Sequence, residues 1–266
     1  MFPRFAASIV IVSMLALIPG QSQTSSTSGP GLYEKGMNAI RGGTLNRNDI
    51  GAIEYLRKSA DLGFVPAQVV LGFMYETGFS VAREPRRAAD WYKKAAQQGD
   101  PLAAWLLGRV IYLGEVPPLG VNDAVTWLER AASDPFAQYL LGMIKLQKHD
   151  YTQAAGLFQK ASERGLPQAQ YELGMLLQRG PGSVKRDRFE AYVWLLMAAN
   201  AGYGNPELQS LESDLGATRT EEAKTTARQR ERDYGRSANA HRCTGWEGEF
   251  ARVPTPPPPD TQQFCR

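Results

Sequence analysis

Few side chains in this 266-residue chain could do nucleophilic, redox or metal chemistry. There are two histidines, His149 and His241, and two cysteines, Cys243 and Cys265. Neither histidine has a second histidine or a cysteine at the spacing of a zinc site, so no metal is expected. His241 stands two residues before Cys243, a pair that suggests metal or thiol chemistry; in an oxidising compartment a disulfide claims Cys243 instead. There is no glycine-rich phosphate loop with its lysine and no Gly-x-Ser-x-Gly elbow. Carboxylates such as Glu221 and Glu222 are adjacent, so their side chains diverge on a helix. These residues assign no catalytic group, no metal and no cofactor.

The elements that would have to position any site follow a repeat. Gly36, Gly72 and Gly108 stand 36 residues apart, as do Tyr55, Trp91 and Trp127, and as do Gly42, Gly78 and Gly114. Later copies drift, with Gly142 following Gly108 by 34 residues and Gly174 following Gly142 by 32. A period in this range is the mark of a solenoid. Within Ala67–Gly78, the residues Ala67, Leu71 and Tyr75 recur every fourth position and share one helical face. Ala88, Trp91, Tyr92, Ala95 and Ala96 mark a second helix, closed by Gly99 and then Pro101.

Ala67, Leu71, Gly72, Tyr75, Gly78, Trp91, Tyr92, Lys94, Ala95, Ala96 and Gly99 match A-x-x-x-L-G-x-x-Y-x-x-G, a loop, then W-Y-x-K-A-A-x-x-G. The chain thereby resembles the Sel1-like repeat family, a relative of the tetratricopeptide repeats, over about residues 31–202. The resemblance implies an all-α fold. It would be a right-handed α/α solenoid of about five helix pairs at 31–204, a capping helix pair at 205–234 and an irregular Pro-rich tail at 235–266. Two copies depart from the pattern. Leu157 replaces the tryptophan of the fourth, whose loop shrinks to Lys148-His149-Asp150, and the third has Asp134-Pro135 where the closing glycine belongs. In the capping pair, Pro206–Leu215 reads as one helix, and Thr218 with Glu221 as a capping box opening the next.

The flanks read differently. Phe5–Ile18 is apolar and uncharged behind Arg4, and Pro19-Gly20-Gln21-Ser22 follows, a secretory signal pattern over 1–22. Fourteen apolar residues fall short of the roughly 20 that a membrane span needs, so no integral span is expected after signal removal. Residues 23–30 read as a flexible leader. Export would place Cys243 and Cys265 where disulfides persist, and one bridge is expected. Between them lies a polyproline run from Pro254 to Pro259. With 30 basic and 27 acidic residues, the chain lacks the basic excess of a nucleic-acid binder.

Partner recognition is expected between the fold anchors. In tetratricopeptide relatives the positions about 150° from the buried stripe line a concave groove. Three residues before each glycine stand Tyr33, Val69, Trp105, Tyr139 and Tyr171. Just after it stand Met37, Phe73, Arg109, Met143 and Met175, and four after it Glu76 and Tyr112 among others. Aromatic and methionine side chains in such a row would form an apolar binding strip, with Arg109 and Glu76 adding charge selectivity; packing between adjacent repeats is the alternative. The binding reading expects Trp105→Ala with Tyr139→Ala to abolish binding and spare the fold.

The sequence thus points to a non-enzymatic protein-binding module, periplasmic or secreted. Its partner would be an effector, a receptor ectodomain or an envelope-complex component. The resemblance admits an adaptor, an inhibitor or immunity protein, and a signalling regulator. A penicillin-binding or β-lactamase-like Sel1 protein is a weaker alternative, because the repeats contain no cysteine pairs. A structural scaffold of an envelope or secretion complex is another.

Overall fold

The computed structural model describes residues 27–41, 50–203 and 206–238. Residues 1–26, Gly42, and the tail with His241, Cys243, Cys265 and the polyproline run lie outside the described residues. The described residues form helices and no strands. They come in pairs: α1 (Gly29–Arg41) with α2 (Ile50–Asp61), and α3 (Val65–Thr77) with α4 (Pro85–Gln97). Next are α5 (Pro101–Tyr112) with α6 (Val121–Arg130), and α7 (Pro135–Gln147) with α8 (Tyr151–Glu163). The fifth pair is α9 (Pro167–Arg179) with α10 (Arg188–Asn200), followed by α11 (Leu208–Leu215) and α12 (Ala217–Ala238). Each helix packs mainly on its neighbours in sequence, and α12 also packs on α10. The architecture is an all-α solenoid.

The repeated glycines set the spacing within each pair. A Cβ at Gly36, Gly108, Gly142 or Gly174 would stand 2.6 to 2.7 Å from Leu56, Leu128, Phe158 or Leu195 of the second helix; at Gly72 it would meet Tyr92 closer still. Only hydrogen fits there, so the second helix seats a large side chain directly on the first helix's backbone. Leu56, Tyr92, Leu128, Phe158 and Leu195 are all wholly buried. The tryptophans one position earlier are less deep. Trp91 and Trp127 are half-buried and carry Lys94 and Arg130 over their rings at 3.8 and 4.5 Å. Each such pair is a cation–π contact one helical turn apart.

Local chemistry also sets the helix ends. Pro101, Pro135 and Pro167 occupy first-turn positions, where a missing N–H costs nothing. Asp100 accepts a hydrogen bond from the Ala103 N–H at 2.7 Å, and Asp134 accepts from Phe136 and Ala137 at 2.8 and 3.0 Å. Asp134 therefore opens α7 in the copy that lacks a closing glycine, and its own N–H closes a turn onto the Ala131 carbonyl at 2.8 Å. In the short fourth loop His149 takes a left-handed φ of 58°, where Gly78 and Gly114 stand in other copies. Further on, α11 starts at Leu208, not at Pro206. Because α12 starts at Ala217, Thr218 lies inside its first turn and does not cap it.

Candidate protein-interaction site

The twelve residues proposed for the groove are deeper than an open apolar strip requires. Met37, Val69, Phe73, Glu76, Trp105, Arg109 and Met175 are buried. Tyr33, Tyr112, Tyr139, Met143 and Tyr171 are half-buried. The cause is the position of the first helices, which are covered by their own partner and by both neighbouring pairs. In α3 every residue from Ala67 to Glu76 is buried. A face 150° from the core stripe is therefore still in contact with another helix. Trp105 is 5% exposed and packs on Phe136 of the next copy with ring centroids 5.4 Å apart. Losing it would remove inter-repeat packing at a cost of about 3–5 kcal/mol, so Trp105→Ala is not a variant that spares the melting curve.

The charged pair at the middle is internal. Arg109 Nη2 donates to Glu76 Oε1, and the Tyr92 hydroxyl donates to Glu76 Oε2 at 2.7 Å. The guanidinium also lies 5.3 Å from the Trp105 ring centroid. Burial pushes the Glu76 carboxyl above the usual glutamate range, although Arg109 and Tyr92 pull it down. Arg109 Nε and Trp105 Nε1 are buried without a hydrogen-bond partner. This pair ties the second copy to the third across 33 positions.

A second polar group lies on the first helices of copies three to five. The Tyr112 hydroxyl accepts from Gln147 Nε2 at 3.0 Å, joining α5 to α7. Tyr139 packs on Phe158 with centroids 5.9 Å apart. Its phenol is pushed up to about 12, first by burial and then by the nearby Glu172, Tyr203 and Tyr112. Tyr203, just after α10, is hydrogen-bonded to Gln168 of α9. Glu172 is half-buried, and burial raises its pKa above the usual value while Arg179 opposes the shift. Glu172, Tyr203 and Tyr112 thus each lie within electrostatic reach of Tyr139. Sequence reasoning missed Glu172 and Tyr203, because one shares its repeat position with the buried Val70, Leu106 and Leu140 of copies two to four and the exposed Glu34 of the first, and the other follows the last matched helix.

His149 has its Nδ1 2.9 Å from the Tyr151 hydroxyl, at an exposed turn. Among the described residues no group of His, Cys, Asp and Glu side chains is arranged to hold a metal ion. No described helix is long and apolar enough to cross a membrane.

The family model for the Sel1 repeat matches residues 32–64, 65–100, 101–134, 135–166 and 167–203. A crystal structure of a Sel1 repeat protein from Oxalobacter formigenes superposes with a TM-score of 0.58 at 22% identity, covering 76% of this chain and 88% of that one. Chitin synthase regulatory factor 3 of Schizosaccharomyces pombe is 43% identical over 61 residues, which is 23% of this chain and 6% of the relative. The chitin synthase regulator SKT5 of Saccharomyces cerevisiae is 29% identical over 152 residues, 57% of this chain and 17% of the relative. The chain thus spans less than a fifth of the length of either fungal relative. Sel1 repeats in general form a non-catalytic protein-interaction fold. With five matched repeats between residues 32 and 203, the chain belongs to the Sel1 repeat family.

Proposed function

We propose that this protein is a non-enzymatic adaptor or regulator that grips a protein partner on the face lined by its first helices, in copies three to five. The observation that carries this reading is the row of half-buried tyrosines, Tyr112, Tyr139 and Tyr171, along the first helices of copies three to five, with Glu172 and Tyr203 within electrostatic reach of Tyr139. Tyrosine offers a large, stiff contact area with a polar tip and is enriched among interface hot spots. The buried residues of the same row, from Met37 to Met175, act by holding neighbouring repeats at fixed spacing. The signal pattern at 1–22 supports placement in a periplasm or outside the cell. Among adaptor, inhibitor or immunity protein and regulator, the names of the two fungal relatives favour regulation.

The test is capture of a partner from the cell envelope by the full-length protein, compared with the Tyr112→Ala/Tyr171→Ala variant. Both side chains are half-buried, so a loss of about 0.5–3 kcal/mol in stability is expected at each site and the fold should survive. Binding should fall at least tenfold while the circular dichroism spectrum is retained. Equal capture by the variant would refute the placement. Nitrocefin turnover or penicillin labelling by the purified protein would instead favour the envelope-enzyme reading.

A further inference from the structure

A cavity of about 580 Å³ lies between α8, α9, α10 and α12, and none of Tyr112, Tyr139, Tyr171 and Tyr203 lines it. Leu173, Leu177 and Val184 give it an apolar side. Trp194 and Tyr234, stacked with ring centroids 6.1 Å apart, give it an aromatic one. Gly156 lines it from the middle of α8. The repeated glycines of the first helices each carry a large side chain of the second helix, but a Cβ at Gly156 would meet nothing within 4 Å. Copies one to three hold the exposed Glu54, Asp90 and Thr126 at the same position. A glycine in the middle of a helix weakens it, and no described side chain fills the space over this one. Its missing side chain leaves the cavity open beside Ala155.

The chain continues past this cavity. Helix α12 ends at Ala238, one helical turn after Tyr234, and residues 239–266 follow. The first large apolar side chains after α12 are Trp246 and Phe250, eight and twelve positions beyond Ala238. Eight extended residues reach up to about 26 Å, more than the roughly 20 Å length of a 13-residue helix such as α8. Tyr234 and Gly156 line one cavity, so both aromatics can reach it. We propose that residues 239–266 of the same chain dock in this cavity, with Trp246 and Phe250 against Gly156, Leu177 and Tyr234. Two aromatic side chains there cover apolar surface that the helices leave open, and they fasten the end of α12 to α8. The first-helix face stays free for a partner.

The test places the photo-crosslinking amino acid p-benzoylphenylalanine at Thr152, an exposed residue of the cavity lining, in the full-length protein. Isotope-labelled and unlabelled chains are mixed before irradiation, and the linked peptides are read by mass spectrometry. Links within one chain to a peptide from 239–266 are expected. Gly156→Leu fills the cavity and suits a helix better than glycine. It should keep the helical circular dichroism spectrum and cut the link yield by about tenfold. Trp246→Ser with Phe250→Ser alters no described residue and should cut the yield equally. Absence of links to 239–266, links running mainly between labelled and unlabelled chains, or undiminished yield in either variant would overturn the proposal. If Gly156→Leu loses the helical spectrum, the yield of the Trp246→Ser/Phe250→Ser variant decides alone.

Discussion

A single methyl group separates the glycine of each copy from a clash. At Gly108 an added Cβ would lie 2.6 Å from Leu128 Cγ and 3.2 Å from the Ala124 carbonyl. Overpacking of this kind costs about 1–3 kcal/mol, against a helix-propensity gain of about 1 kcal/mol from glycine to alanine. Gly108→Ala should therefore lower stability by up to about 2 kcal/mol, read as a lower thermal midpoint. The glycines were legible in the sequence because they return at fixed spacing. The Glu76–Arg109 pair was not, because its partners are 33 residues apart and occupy different positions of the repeat. Arg109→Met would leave Glu76 buried without its cation, at a cost of about 3–5 kcal/mol near neutral pH. The sign with pH follows from the direction of the shift. A carboxyl whose pKa is raised by folding holds its proton more tightly in the folded state. Its ionisation then costs stability as pH rises from the unfolded value of about 4.3 to the raised folded value. Losing Arg109 raises that folded value further, so the variant's deficit should shrink on acidification. Urea unfolding at two pH values on either side of that window checks this.

At the scale of elements, the helix pairs and most of their boundaries follow from glycine, proline and aspartate punctuation that the sequence displays. The misreadings have a common cause. Helical spacing tells which residues share a face, and it is silent on how many neighbours cover the helix. The first helices are covered on nearly every side, so a face expected to be open became an inter-repeat seam at Val69, Phe73 and Trp105. At the C-terminal end, α12 is largely polar, and it packs on α10 and α11 through a seam that buries Ala223 and Ala227. Arg230 reaches both oxygens of Glu190 at 2.7 and 2.9 Å and lies 4.9 Å from the Trp194 ring centroid. Tyr234 stacks on Trp194 with parallel rings 6.1 Å apart. Arg230→Ala should lower hydrogen-exchange protection in α12 by on the order of tenfold, equivalent to about 1.4 kcal/mol, and leave α5 to α7 unchanged. Uniform loss across the molecule would show that α12 is coupled to the whole array.

For the whole molecule, the repeat determines what kind of surface is available. Among the described residues each pair packs mainly on its neighbours, so the array builds an extended face. The near balance of charge and the scarcity of histidine and cysteine, both visible in the sequence, are consistent with a binding role. What the sequence could not show is which part of the face stays open, since that depends on contacts between copies. Tyr112, Tyr139, Tyr171 and Tyr203 are half-buried in copies three to five, whereas Met37, Val69, Phe73, Trp105 and Arg109 of the same row are buried. A photo-crosslinking amino acid placed at Tyr112 or Tyr171, and for comparison at the exposed Gln159 on α8, tests this most directly in intact cells. Crosslinks to one protein from the first two positions and none from Gln159 are the predicted result. Equal labelling from Gln159, or labelling from there alone, would contradict recognition through the first-helix face.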